Sequence, residues 1–188
     1  MDRTISKRPA SGFTMTELII TMAIVAILLA IGIPSFKYVT TSNRISSEIN
    51  GLLGDMQFAR SQAIKEGQTV TVCSSSDGAT CNIGPAGNIW STGWIVFLDS
   101  NGNQQVDAGE QVIRVQPPFN GTDTLTSSVS YAAATYNRMG YAPTYTGTTI
   151  NINLHDSSNT AAWTRCLAIT ASGSVTTEQF GAGTPACN

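Results

Sequence analysis

The chain has 188 residues, with ten basic against twelve acidic side chains, one histidine and four cysteines. A formal net charge of -2, carried by only 12% charged residues, gives no general attraction for nucleic acid. A single histidine, His155, and no CxxC pair exclude the usual zinc sites and most histidine-based catalytic sets.

From the N-terminus, Arg3, Lys7 and Arg8 precede an uncharged stretch, residues 18–36, that begins LIITMAIVAILLAIGI. About twenty helical residues cover ~30 Å, the thickness of a bilayer core, so this segment can span a membrane. The basic residues before it hold the extreme N-terminus in the cytoplasm and send the remainder outward. A secretory signal peptide has a similar outline, and Ala30-Ile31-Gly32 would serve as its cleavage site. The apolar run is longer than a usual signal core, however, and Glu17 sits at its leading edge. An unpaired carboxylate costs ~2.5–3.5 kcal/mol at mid-membrane and less near the interface, so Glu17 either finds a partner or snorkels to the headgroups.

Lys7-Arg8-Pro9-Ala10-Ser11-Gly12 followed by Phe13-Thr14-Met15-Thr16-Glu17-Leu18 resembles the class III signal of type IV pilins. The resemblance implies cleavage after Gly12 by a prepilin peptidase, N-methylation of Phe13, and retention of the apolar segment. It also gives Glu17 a role, pairing with the N-terminal amine of a neighbouring subunit. A carboxylate and an ammonium buried together lose less than either does alone.

Pro34 interrupts the apolar segment and predicts a kink or local melting. Beyond it Ile45, Ile49, Leu52, Met56, Ala59 and Ala63 recur at three- and four-residue steps, an amphipathic helix with Arg44, Glu48, Asp55 and Lys65 mostly off its apolar face. Gly67 is a natural stop, and Gly51 and Gly54 weaken the helix. Residues 13–66 therefore read as one helix of roughly 80 Å with a weak point near Pro34. After Gly67, β-branched and aromatic runs alternate with Gly, Asn, Ser and Pro clusters. Strands are expected at 68–73, 94–98, 111–116, 148–154 and 163–170, with another at 128–134. Connections this short require antiparallel pairing. The fold class is α+β, a long N-terminal helix packed on an antiparallel, β-sandwich-like head. Its parts are a leader (1–12), a transmembrane and assembly helix (13–34), an amphipathic helix (35–67) and a β-rich head (68–188).

Trp94-Ile95-Val96-Phe97-Leu98-Asp99, then Asn101-Gly102-Asn103 and Asp107-Ala108-Gly109-Glu110, resembles a signature of the GspH/FimT-like minor pilins and pseudopilins. Arg165-Cys166-Leu167 and Ser172-Gly173 agree more weakly. The resemblance implies a non-enzymatic minor subunit that helps to initiate or cap a pilus used in twitching, adhesion or DNA uptake; a type II secretion pseudopilin is the alternative. Its partners would be other minor and major pilins, the prepilin peptidase and the pilus assembly machinery. Its place would be the bacterial inner membrane, as a single pass with a periplasmic head, and then the fibre at the cell surface.

In an extracytoplasmic head four cysteines make two disulfides, with three possible connectivities. Cys73–Cys81, closing a short Gly/Ser loop, and Cys166–Cys187, tying down the C-terminal tail, are favoured. Asp99, Asn101, Asn103, Asp107 and Glu110 fall at oxygen-donor positions of a calcium loop. Gln104 stands where such a loop needs glycine, and an Asn-Gly hairpin accounts for the same residues with no ion. No cofactor is expected, with calcium as the lesser reading. His155-Asp156 reads as a polar loop, and Trp90, Trp94 and Trp163 as packing. Some FimT-like pilins bind DNA through an arginine-bearing C-terminal stretch. Residues 171–178 hold no arginine or lysine, and Arg114, Arg138 and Arg165 are scattered, so direct nucleic-acid binding is disfavoured.

Overall fold

Apart from Pro34 and isolated glycines, nothing between Thr14 and Gly67 breaks a helix. In the computed structural model these residues form one α-helix, α1 (Met15–Glu66, 52 residues). The structure describes residues 12–82, 84–127, 133–143, 149–183 and 187. The helix begins two residues later than expected, because Thr14 caps it. It ends as expected, with Gly67 at φ 69° donating its N–H to the Ala63 carbonyl at 3.1 Å. The melting expected at Pro34 is absent. The helix runs through it, since a proline ring removes one donor and leaves the bonds on either side to other residues.

Two compact units divide the chain after Thr41, inside α1. Burial sets the division. Residues 12–40 are exposed throughout, and the first core side chain is Ile45. The first unit is the apolar part of α1, long and apolar enough to cross a membrane by length and composition.

In the second unit, two antiparallel four-stranded sheets share a core with the rest of α1. β1 (Val70–Ser74), β2 (Trp94–Leu98), β3 (Val112–Gln116) and β5 (Ala133–Tyr136) form the first sheet in the order β3-β2-β1-β5. β4 (Thr124–Ser127), β6 (Ile150–His155), β7 (Arg165–Ile169) and β8 (Val175–Gln179) form the second in the order β4-β6-β7-β8. Ile45, Ile49, Leu52, Met56, Ala59 and Ala63 of α1 pack with Val70, Val72, Trp94 and Val96 of the first sheet and Leu125, Ile152, Leu154 and Leu167 of the second. The opposite face of the first sheet is also covered: Cys73, Ile95, Phe97 and Ala133 cluster with Val106 and Val112. Burial on both faces explains why β2 reads as an unbroken apolar run rather than an alternation.

The expected strands at 68–73, 94–98, 111–116, 148–154 and 163–170 correspond to β1, β2, β3, β6 and β7 with small shifts. Trp163 belongs to a short 3-10 turn (Ala161–Trp163) ahead of β7. Of the strand expected at 128–134, Ala133 and Ala134 open β5; 128–132 lie outside the described residues, as does Thr148. β4 and β8 were not anticipated. Gly93 leads into β2 at φ 102°, where an added Cβ would lie 2.5 Å from the Gln116 carbonyl oxygen, so the approach of β3 admits only glycine.

Candidate functional site

Thr14-Met15-Thr16-Glu17 has the spacing of a capping box, and the structure forms one. The Glu17 N–H donates to Thr14 Oγ1 at 3.3 Å, and Glu17 Oε2 accepts from the Thr14 N–H at 3.5 Å. The carboxylate assigned to a neighbour's amine thus engages its own helix start in the single chain. The sequence reading passed over Thr14 although the spacing was visible. Gly12 and Phe13 precede the helix outside regular secondary structure, with Phe13 79% exposed. From Leu18 to Ile33 the surface is hydrocarbon-like and open, as at Met22, Leu28 and Ile31.

Both favoured disulfides are present: Cys73–Cys81 and Cys166–Cys187, with no free cysteine among the described residues. The first joins β1 to the loop after it. The second anchors Cys187 to β7.

The loop between β2 and β3 draws Asp99, Asn101, Asn103, Asp107 and Glu110 together. Asp99 is fully buried and accepts from Thr71 Oγ1 (2.6 Å) and from the N–H groups of Asn103 (3.1 Å) and Gln104 (3.0 Å). Asp107 Oδ2 accepts from the side-chain amides of Asn101 (2.8 Å) and Asn103 (2.7 Å), and Glu110 Oε1 accepts from the Ser100 N–H (2.8 Å). Gln104 is not the obstacle to a sharp turn that the sequence suggested. It adopts φ 64°, secured by its N–H on Asp99 and its side-chain amide on Thr135 Oγ1. Among the described residues no group of three or more His, Cys, Asp or Glu side chains is arranged to hold a metal ion.

His155 ends β6 with Nδ1 3.2 Å from Thr164 Oγ1, and Asp156 accepts from the Thr160 N–H at 2.6 Å. These contacts shape a loop; they do not assemble an acid–base pair. Trp90 and Trp94 are buried. Arg165 donates to the carbonyls of Ala162 and Thr164, and residues 175–179 form β8.

Polar contacts on α1 were not foreseen. Arg44 binds Asp123 through two hydrogen bonds, Nε to Oδ2 at 2.6 Å and Nη2 to Oδ1 at 2.8 Å. The contact raises the arginine pKa further. Asp55 accepts from Trp94 Nε1 (2.8 Å) and Arg114 Nη1 (2.6 Å), and the Arg114 guanidinium lies 3.7 Å from the Phe58 ring centre. Burial and the neighbouring Asp123 carboxylate push Glu48 up to about 7. The sequence showed Arg44, Glu48 and Asp55 off the apolar face; nothing in it showed their distant partners.

Residues 48–173 match the family described as type II transport protein GspH, and residues 7–33 match the prokaryotic N-terminal methylation motif. The fold is similar to that of the type IV minor pilin FimU of Pseudomonas aeruginosa. In its P21 crystal form the identity is 18% over 72% of this chain and 89% of that one, with a TM-score of 0.54; in the P65 form the values are 15%, 74%, 90% and 0.47. No curated protein sequence matches significantly. With the methylation motif at the head of an exposed apolar helix and the GspH match spanning well over half the chain, this protein belongs to the GspH family of minor pilins and pseudopilins, whose members are structural subunits rather than enzymes.

Proposed function

We propose that the chain is a minor subunit of a type IV pilus that helps to initiate or cap the fibre. It is made as a precursor, cut after Gly12, methylated at Phe13, and held as a single pass in the inner membrane with its head outside. The observation that carries this reading is the contrast along α1. Its residues 15–40 are exposed and largely apolar, while the face from Ile45 to Ala63 is buried in the head. A surface of the first kind needs lipid or other apolar helices around it, because each large apolar side chain left in water forgoes ~1.5–3 kcal/mol. Bundled pilin helices supply that environment, and Glu17 sets their register as a single buried polar group does in a coiled coil. Prepilin peptidase and neighbouring pilins are the partners.

The type II transport description of the family favours a second reading, a pseudopilin of a secretion system. Loss of twitching on gene deletion supports the pilus; loss of protein secretion supports the pseudopilus. Mass spectrometry of the mature N-terminus tests the step common to both. N-methylphenylalanine at Phe13 is the expected result, with Gly12→Ala retaining the leader as a heavier band. A mature chain beginning near Gly32 would end both readings.

A further inference from the structure

Between α1 and the segment that follows β3 lies a cleft of about 580 Å3, lined by Arg44, Glu48, Gln116, Pro117, Phe119 and Asn120 among others. With Glu48 ionised, its acidic groups outnumber its basic one. Asp123, whose side chain is fully buried, has both oxygens taken by Arg44. Glu48 adds a second carboxyl beside this pair, and its Oε2 is buried with no hydrogen-bond partner. One guanidinium thus faces two acidic groups. Asp156 also acts on Arg44, and its negative charge adds to the imbalance.

We propose that this cleft receives a lysine or arginine side chain from the head of a neighbouring pilin, with Glu48 as the carboxylate that accepts it. The inference rests on the assembly reading above and names a contact within it. Two features favour a basic side chain over a free metal ion. The space is far larger than a bare cation needs, and a hard cation requires several oxygen ligands, whereas Glu48 offers a single carboxyl that no guanidinium already holds. The walls suit an amphipathic occupant, because Pro117 and Phe119 can cover a methylene stem while Gln116, Asn120 and Glu48 meet its charged head. In the unassembled head a proton satisfies Glu48. Docking of the cation releases that proton to solvent and replaces a neutral acid by an ion pair.

The test uses the complete chain, expressed in piliated cells, and measures its share in sheared filaments. Glu48→Gln keeps the shape of the protonated acid and removes the charge, so the head folds while the contact is lost; Asn120→Trp obstructs the cleft and leaves Glu48 in place. With membrane levels and both disulfides unchanged, each variant is expected to enter filaments several-fold less than the unmodified chain. Normal incorporation of Glu48→Gln overturns the cation contact, whatever Asn120→Trp does. A defect in Glu48→Gln alone also overturns it, because an obstructed cleft that still assembles is not the docking site. Absence of the unmodified chain from filaments overturns the assembly reading itself, and this proposal with it.

Discussion

A carboxyl group buried against another carboxylate is more stable with its proton than without it, and Glu48 stands in that position beside Asp123. Its pKa rises from 4.5 to about 7 on folding, so the folded head prefers the neutral acid. The favourable contribution is complete below pH 4.5, declines as pH climbs toward 7, and is gone above it. Glu48→Gln carries no such penalty. Thermal unfolding of the full chain in detergent should therefore show the variant gaining on the unmodified protein between pH 4.5 and 7, with a constant difference above; a constant difference throughout would contradict the assignment. Asp77 has the opposite sign. Its carboxyl is held below the usual range by the Thr80 hydroxyl and the N–H groups of Thr80 and Ala79, and that stability fades in acid. Neither effect was legible in the sequence. Arg44 and Asp123 are 79 positions apart, and only folding reveals that Glu48 adjoins them. Gln104 shows the same limit in reverse, since a residue that looked wrong for a tight turn is held there by Asp99.

At the scale of elements, legibility followed the amount of apolar pattern each one carries. The buried face of α1 could be read in full because six positions repeat at helical steps. β2 and β7 announce themselves through consecutive apolar residues, but β4 contributes Leu125 alone to the core. β8 is a polar edge strand of Val-Thr-Thr-Glu-Gln whose pairing with β7 supplies what its side chains do not. Beyond β8, Cys187 reaches back to β7 through a bond of sequence separation 21. Loop-closure entropy gives such a bridge ~3 kcal/mol. Cys166→Ser with Cys187→Ser should therefore lower the unfolding midpoint of the head by about 6–12 °C, read by near-ultraviolet circular dichroism. A shift under 2 °C would mean that the tail is held by other contacts.

For the molecule as a whole, the membrane-length helix and the head are both legible in the sequence. The compact units meet after Thr41, where side chains begin to be covered. Two bodies imply separable defects. Glu17→Ala removes the capping box and the proposed partner of a neighbour's amine, and it leaves the head's core untouched. Leader removal and head folding should proceed normally in this variant while its level in sheared filaments falls several-fold; immunoblots of membrane and filament fractions check both. Normal levels in the fibre would remove the amine-pairing role. The uncovered run from Leu18 to Ile33 also limits how a fibre built from such subunits comes apart. At ~1.5–3 kcal/mol for each large apolar side chain, release of a lone subunit into the medium is prohibitive, so a fibre of the kind proposed would shorten only where lipid can take the helices back. A fibre broken off outside the cell stays a fragment.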